Sequence, residues 1–139
     1  MNQHLRDTVW TIAQGVRSWA TIRAEKANYN PKDLCGWCAI SAARMFEELK
    51  QVKISAEIHM HNNFPCHVFL VVDDHVVDVT ATQFKETATI PILIMHTKEA
   101  ERYDFYKSTE QFSSTLELQK YQKKNRWPKH QIAFVNTVF

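Results

Sequence analysis

Asp33-Leu34-Cys35-Gly36-Trp37-Cys38-Ala39-Ile40-Ser41 passes from a loop composition into a helical one within nine residues. Gly36 permits a tight turn. From Cys38 onward the apolar positions Cys38, Ala42, Met45, Phe46 and Leu49 recur at helical spacing, so a helix is expected over residues 38–50. Ala39, Ala42 and Ala43 let a neighbour approach that helix closely. A second helix is expected upstream over residues 8–23, with Val9, Ile12, Val16, Trp19 and Ile22 as its apolar positions. Pro31 biases Asn30 away from helix, which makes 28–31 a loop between the two.

The character of the chain then changes. Residues 52–61 alternate Ile54, Ala56, Ile58 and Met60 with polar residues, as a half-buried strand does. Phe64-Pro65 breaks that run. Two β-branched segments, 67–72 and 75–79, flank Asp73-Asp74 and read as a hairpin. Residues 89–95 suit a further strand, with Pro91 confining it to an edge or an irregularity. Ser114-x-x-Glu117 has the form of a capping box and opens a helix to about residue 124. Residues 131–139 alternate as a last strand. Helices followed by an antiparallel sheet make an α+β layout.

The hairpin carries an expectation that depends on parity. A two-residue turn at Asp73-Asp74 pairs residues whose numbers sum to 147, so Phe69 faces Asp78. His67 then shares a strand face with Asp78 as its diagonal neighbour, since side chains alternate along a strand. Diagonal positions lie roughly 7–8 Å apart, within reach of an Asp–His hydrogen bond. An odd-numbered loop would put the two on opposite faces. The same face carries Phe69, Val71 and Val76, which are expected to pack on the 38–50 helix and bring His67 to its start. Asp78 has a second reading, as the cap of the turn at Thr80-Ala81-Thr82.

Cysteine, histidine and acid are the residue types of a nucleophile, a general base and an orienting group. A thiol attacks as thiolate, and the partial positive charge at a helix N-terminus favours that form. Cys38 stands where this effect acts; Cys35 lies outside the helix. The backbone N–H groups there also suit a tetrahedral oxyanion. Asn30 and Gln83 are candidates for a further oxyanion donor, and Trp37 for a wall of the site. Each also has an ordinary use, in loop hydrogen bonding or aromatic packing. Cys35-x-x-Cys38 also reads as a redox pair or half a zinc site. His59, His61 and Cys66 could supply zinc ligands, or simply line the polar face of a strand. Neither a metal nor a cofactor is expected.

At 139 residues and 45% hydrophobic, the chain suits a single domain, 1–139, with a substantial core. A net charge of +2 is too small to argue for nucleic acid. The run Lys120, Lys123, Lys124, Arg126 reads as a solvated helix end. No apolar run reaches the roughly 18 residues of a membrane helix, and the N-terminus lacks a signal-peptide core. Three cysteines, an odd number, suit free thiols in a reducing compartment, hence a cytoplasmic protein. Delivery into another cell by a dedicated machine is compatible with these features.

Cys35-Gly36-Trp37-Cys38-Ala39-Ile40-Ser41 is similar to the nucleophile segment of papain-like and transglutaminase-like cysteine enzymes, where a cysteine opens the central helix. His67, followed by Asp78-Val79-Thr80-Ala81-Thr82-Gln83-Phe84, resembles the histidine strand and D-x-T-x-x-Q-F segment of small bacterial and phage transglutaminase-like proteins. The similarity covers roughly residues 33–84, with Val68-Phe69 where the family carries a tryptophan. It implies a papain-like or transglutaminase-like domain whose central cysteine helix packs on an antiparallel sheet. It implies Cys38 as nucleophile, His67 as base and Asp78 as orienting acid. The activity implied is amide hydrolysis or acyl transfer on a protein or peptide substrate: protease, amidase, glutamine deamidase or transglutaminase. Size and resemblance together suit a toxin or effector. The competing expectations are a binding module of the same fold, or a zinc-binding protein.

Overall fold

A computed structural model describes residues 1–133; most of the strand expected at 131–139 lies outside these. The elements run α1 (Gln3–Lys26), α2 (Cys38–Gln51), β1 (Glu57–His61), β2 (His67–Val72), β3 (His75–Asp78), β4 (Leu93–His96), α3 (Thr97–Ala100), β5 (Glu110–Phe112) and α4 (Thr115–Lys124). The strands form one antiparallel sheet in the order β4-β3-β2-β1-β5. The architecture is therefore α+β. Among the described residues, no helix is long and apolar enough to cross a membrane.

The helices sit as their caps direct. Asn2 accepts the Leu5 N–H to open α1, and Ser114 accepts the Glu117 N–H to open α4. The reciprocal half of the expected capping box is shifted by one residue, because the Glu117 carboxylate accepts from Ser113 instead. The buried line of α1 is Val9, Ala13, Val16, Ala20 and Ala24, whereas Ile22 is 54% exposed. The stripe through Trp19 and Ile22 is thus rotated. Of its three alanines, weak in hydropathy, Ala13 packs in one cluster with Ala39 and Ala43 of α2, while Ala20 and Ala24 pack with Leu34, Trp37 and Ile40. The α2 stripe through Cys38, Ala42, Met45, Phe46 and Leu49 is buried as expected.

The strand expected over 52–61 is shorter, since Val52 closes α2 and Lys53 takes a positive φ of 60°. β4 begins two residues after Pro91 and forms a sheet edge, where a missing N–H costs least. β5 had no alternating signal, being three residues long.

The β2–β3 register is Leu70↔Val77, Val71↔Val76 and Val72↔His75, each summing to 147. Asp73 and Asp74 have φ of 48° and 59°. Two consecutive left-handed residues match the right-handed twist of the hairpin. The sheet's two faces bury different cores. Ile58, Met60, Val68, Leu70, Val72 and Val77 pack beneath α2, with Phe112 beside them. Phe69 and Val76 pack on the other face with Phe84, Leu93, Phe105 and Tyr106. The expectation that Phe69, Val71 and Val76 meet α2 is therefore corrected. Residues of opposite parity meet it, and the chain from 80 to 106 covers the face that carries His67.

Candidate active site

The site is assembled where α2 and β2 both begin. Cys38 is the first residue of α2 and 6% exposed; His67 is the first residue of β2 and fully buried. Although α2 packs on the opposite sheet face, Cys38 stands close enough to His67 for its thiol to favour the protonated ring. His67 Nε2 lies 2.7 Å from Asp78 Oδ2, the diagonal contact that the 147 register allows. Asp78 serves both of its expected uses. Oδ1 accepts the Thr80 N–H at 2.9 Å and the Thr80 hydroxyl at 3.2 Å, capping the turn, while Oδ2 faces the imidazole.

Nothing in the sequence pointed to Tyr106, 28 residues downstream of Asp78. Its hydroxyl donates to Asp78 Oδ2 at 2.5 Å. The His67 ring is boxed by aromatics, stacked on Phe69 and edge-on to Phe84 at 4.7 Å and Phe105 at 6.1 Å. Arg17 was missed for the same reason, as a polar residue of α1. Its guanidinium donates to Val79 O, Thr82 Oγ1 and Lys32 O at 2.8–2.9 Å, tying α1 to the end of β3 and to the loop before Cys38.

The electrostatics follow from burial and pairing. Burial alone would push His67 down, but the charge and hydrogen bond of Asp78, helped by the Cys38 thiol, raise it from 6.5 to about 9. Burial would likewise raise Asp78, yet the His67 charge and hydrogen bond, with Tyr106 and Thr80, hold it below the ordinary 3.8. Cys66 and Cys35 are both held toward the thiol form. Cys66 is pushed up to about 12, first by burial and then by Cys38. Cys35 is raised by partial burial, Asp33 and Cys38.

A pH dependence of stability results. The raised His67 contributes stability that is complete below 6.5 and lost as pH climbs through about 9. The depressed Asp78 contributes stability present above 3.8 and lost as acid drops below it. The stability gap between wild type and His67→Gln, measured in urea, is expected to be widest between pH 3.8 and 6.5. It narrows by on the order of 3 kcal/mol toward pH 9 and narrows again in strong acid. A gap flat from pH 4 to 9 would contradict this pairing. Tyr106→Phe removes one hydrogen bond to a buried charge and should cost roughly 2 kcal/mol in the same assay.

The remaining candidates separate. Gln83 reaches the site: its Nε2 is 3.2 Å from His67 Nδ1 and donates to Thr80 O and Oγ1 at 3.1 Å. Asn30 does not. It is exposed, accepts the Lys32 N–H at 2.9 Å and donates to Asp33 at 3.2 Å, which closes its own turn. Trp37 is buried against Trp19 and Tyr29, edge-on to both, and lies under α1 instead of walling the cleft. His59 bonds Ser108 Oγ at 2.8 Å, and His61 Nδ1 donates to Lys107 O at 2.7 Å. Among the described residues, no three His, Cys, Asp or Glu side chains converge as a metal site.

Cys38 opens into a cleft of about 580 Å³. Its walls come from the turn before α2, the β1–β2 loop, Gln83-Phe84 and the segment after α4. Gly36 has φ +88°, and a Cβ there would stand 3.2 Å from the Gln131 amide. Trp37, the N-cap of α2, makes no side-chain capping bond, and the first intrahelical bond is Ser41 N–H to Trp37 O. The N–H groups of Cys38 to Ile40 precede that ladder. No family model matches the chain, and no curated protein or solved structure matches it either.

Proposed function

We propose that the protein is a cysteine hydrolase or acyltransferase acting on an amide bond of a peptide or protein. The observation that carries this reading is the buried relay from Cys38 through His67 to Asp78, at the edge of an open cleft. His67 Nε2 is committed to Asp78, so Nδ1 exchanges the proton with the thiol. The Cys38 thiolate attacks the amide carbonyl and forms a carbon–sulfur bond as the carbonyl π electrons move to oxygen. The oxyanion is met by the Cys38 N–H at the uncapped helix start and by the Gln83 amide. Collapse expels the amine, which takes the Nδ1 proton and leaves a thioester. Water, deprotonated at Nδ1, hydrolyses it; an amine in its place gives transfer. The papain-like and transglutaminase-like resemblance fits the order helix cysteine, strand histidine, next-strand acid.

Intact mass spectrometry of candidate proteins treated with wild type or Cys38→Ala tests this. A gain of about one dalton at a glutamine means deamidation, cleavage means proteolysis, and conjugation means transamidation. If wild type and variant act alike on every substrate, the thiol is not the nucleophile.

A further inference from the structure

We infer that the cleft selects peptide substrates carrying acidic residues beside an apolar side chain, with Arg126 as the residue that sets this preference. The inference rests on the amide-bond reading above and names its substrate class.

Arg126 is the one formally charged residue among the described residues lining the cleft. It is exposed, and among the described residues it forms no ion pair. Lys123, Lys124 and Lys129, its neighbours in sequence, are exposed, and the sequence contains no Asp or Glu after Glu117. Asp33, which accepts the Cys35 N–H at 2.9 Å, lies behind the opposite wall; on the side after α4 the charge is of one sign, and that side attracts acidic ligands and repels basic ones.

The backbone points the same way. α4 ends at Lys124, with Trp127 N–H returning to Gln122 O at 3.0 Å and Arg126 N–H to Lys123 O at 3.3 Å. Arg126 occupies the left-handed position of this closing turn, with φ 56°, where glycine is preferred. Lys53 takes the same left-handed conformation after α2, so what distinguishes Arg126 is that its turn borders the cleft. The apolar part of the surface is equally specific. Phe64 is 98% exposed at the tip of the β1–β2 loop, and Trp127 lines the same cleft. An exposed Phe64 and a half-buried Trp127 packed on the core give the groove two aromatic walls, which suit an apolar side chain between them.

The test uses acetyl-Xaa-Xaa-Leu chloromethyl ketones with Xaa as Glu, Gln or Lys, and follows alkylation of Cys38 by peptide mapping. Sulfur displaces chloride and bonds the methylene carbon, so all three probes share one reaction. The Glu probe should react roughly tenfold faster than the Lys probe at low salt, with Gln between, and the ratio should shrink as sodium chloride is raised. Arg126→Gly relieves the left-handed backbone and should melt no lower than wild type, yet cut the ratio by at least about threefold. Arg126→Glu should cut it further. An equal or inverted ratio in wild type, or a ratio unchanged in both variants, would overturn the inference while leaving the nucleophile reading standing. If polyuridylate blocks alkylation and the Glu probe gains nothing over Lys, the basic rim serves nucleic acid instead. If none of the probes modifies Cys38, the amide-bond reading fails and this inference with it.

Discussion

Cys38→Ser is expected to lower turnover by on the order of 10⁵-fold, to the level of background, while the protein remains folded and still binds its substrate. In the proposed mechanism the thiol is the one group of the relay that bonds to substrate, and an oxygen at that position would be a far weaker nucleophile. The substitution keeps shape and approximate volume at a residue only 6% exposed. Loss of activity would therefore report chemistry and not packing. Urea melts should differ little between wild type and variant, and substrate affinity by titration should be retained. A Cys38→Ser protein with more than a few percent of wild-type activity would remove the thiol from the mechanism.

Asp78→Asn should affect both activity and stability. Asp78 Oδ2 faces His67 Nε2 at 2.7 Å and the Tyr106 hydroxyl at 2.5 Å, in a site where aspartate is 3% exposed. An amide there removes the counter-charge of the imidazolium and can present an N–H to groups that need an acceptor. Breaking a buried charged pair from one side costs about 3 kcal/mol or more. The rate should fall by on the order of 10³-fold, because the ring loses both its preferred tautomer and the stabilisation of its protonated form. A pH–rate profile distinguishes this from simple loss of fold. The limb of the profile set by His67 should move to lower pH, since His67 without its carboxylate no longer holds its proton near neutrality.

Strand alternation made the His67–Asp78 pair readable before any coordinates. The sequence left the loop length open, but an even loop at Asp73-Asp74 puts both side chains on one face, and the observed register has that parity. Alternation says nothing of which face a helix covers. The inward side chains of both faces are apolar, so the face of Phe69 and Val76 was assigned to α2 in error. Tyr106 and Arg17 were invisible for a different reason. Each reaches the site across a long sequence separation from an element whose local pattern is ordinary. Arg126 was hidden by its neighbours, because a basic run at a helix end has an adequate local explanation in the helix dipole. Its place on the cleft wall depends on the turn that follows α4, which a local pattern does not show. The helix start at Cys38 was legible because Gly36 and the alanine run mark it from both sides.

The most direct test of the account is the competition among the three thiols for iodoacetamide at pH 7, followed by peptide mapping. Cys35 is exposed, Cys66 is half-buried and Cys38 is buried. Access alone would make Cys35 the fastest to react. The account predicts instead that Cys38, beside His67, is alkylated at least about tenfold faster than either, and that this advantage disappears in His67→Gln. Labelling that follows exposure, with Cys35 first and Cys38 unchanged by the loss of His67, would contradict it.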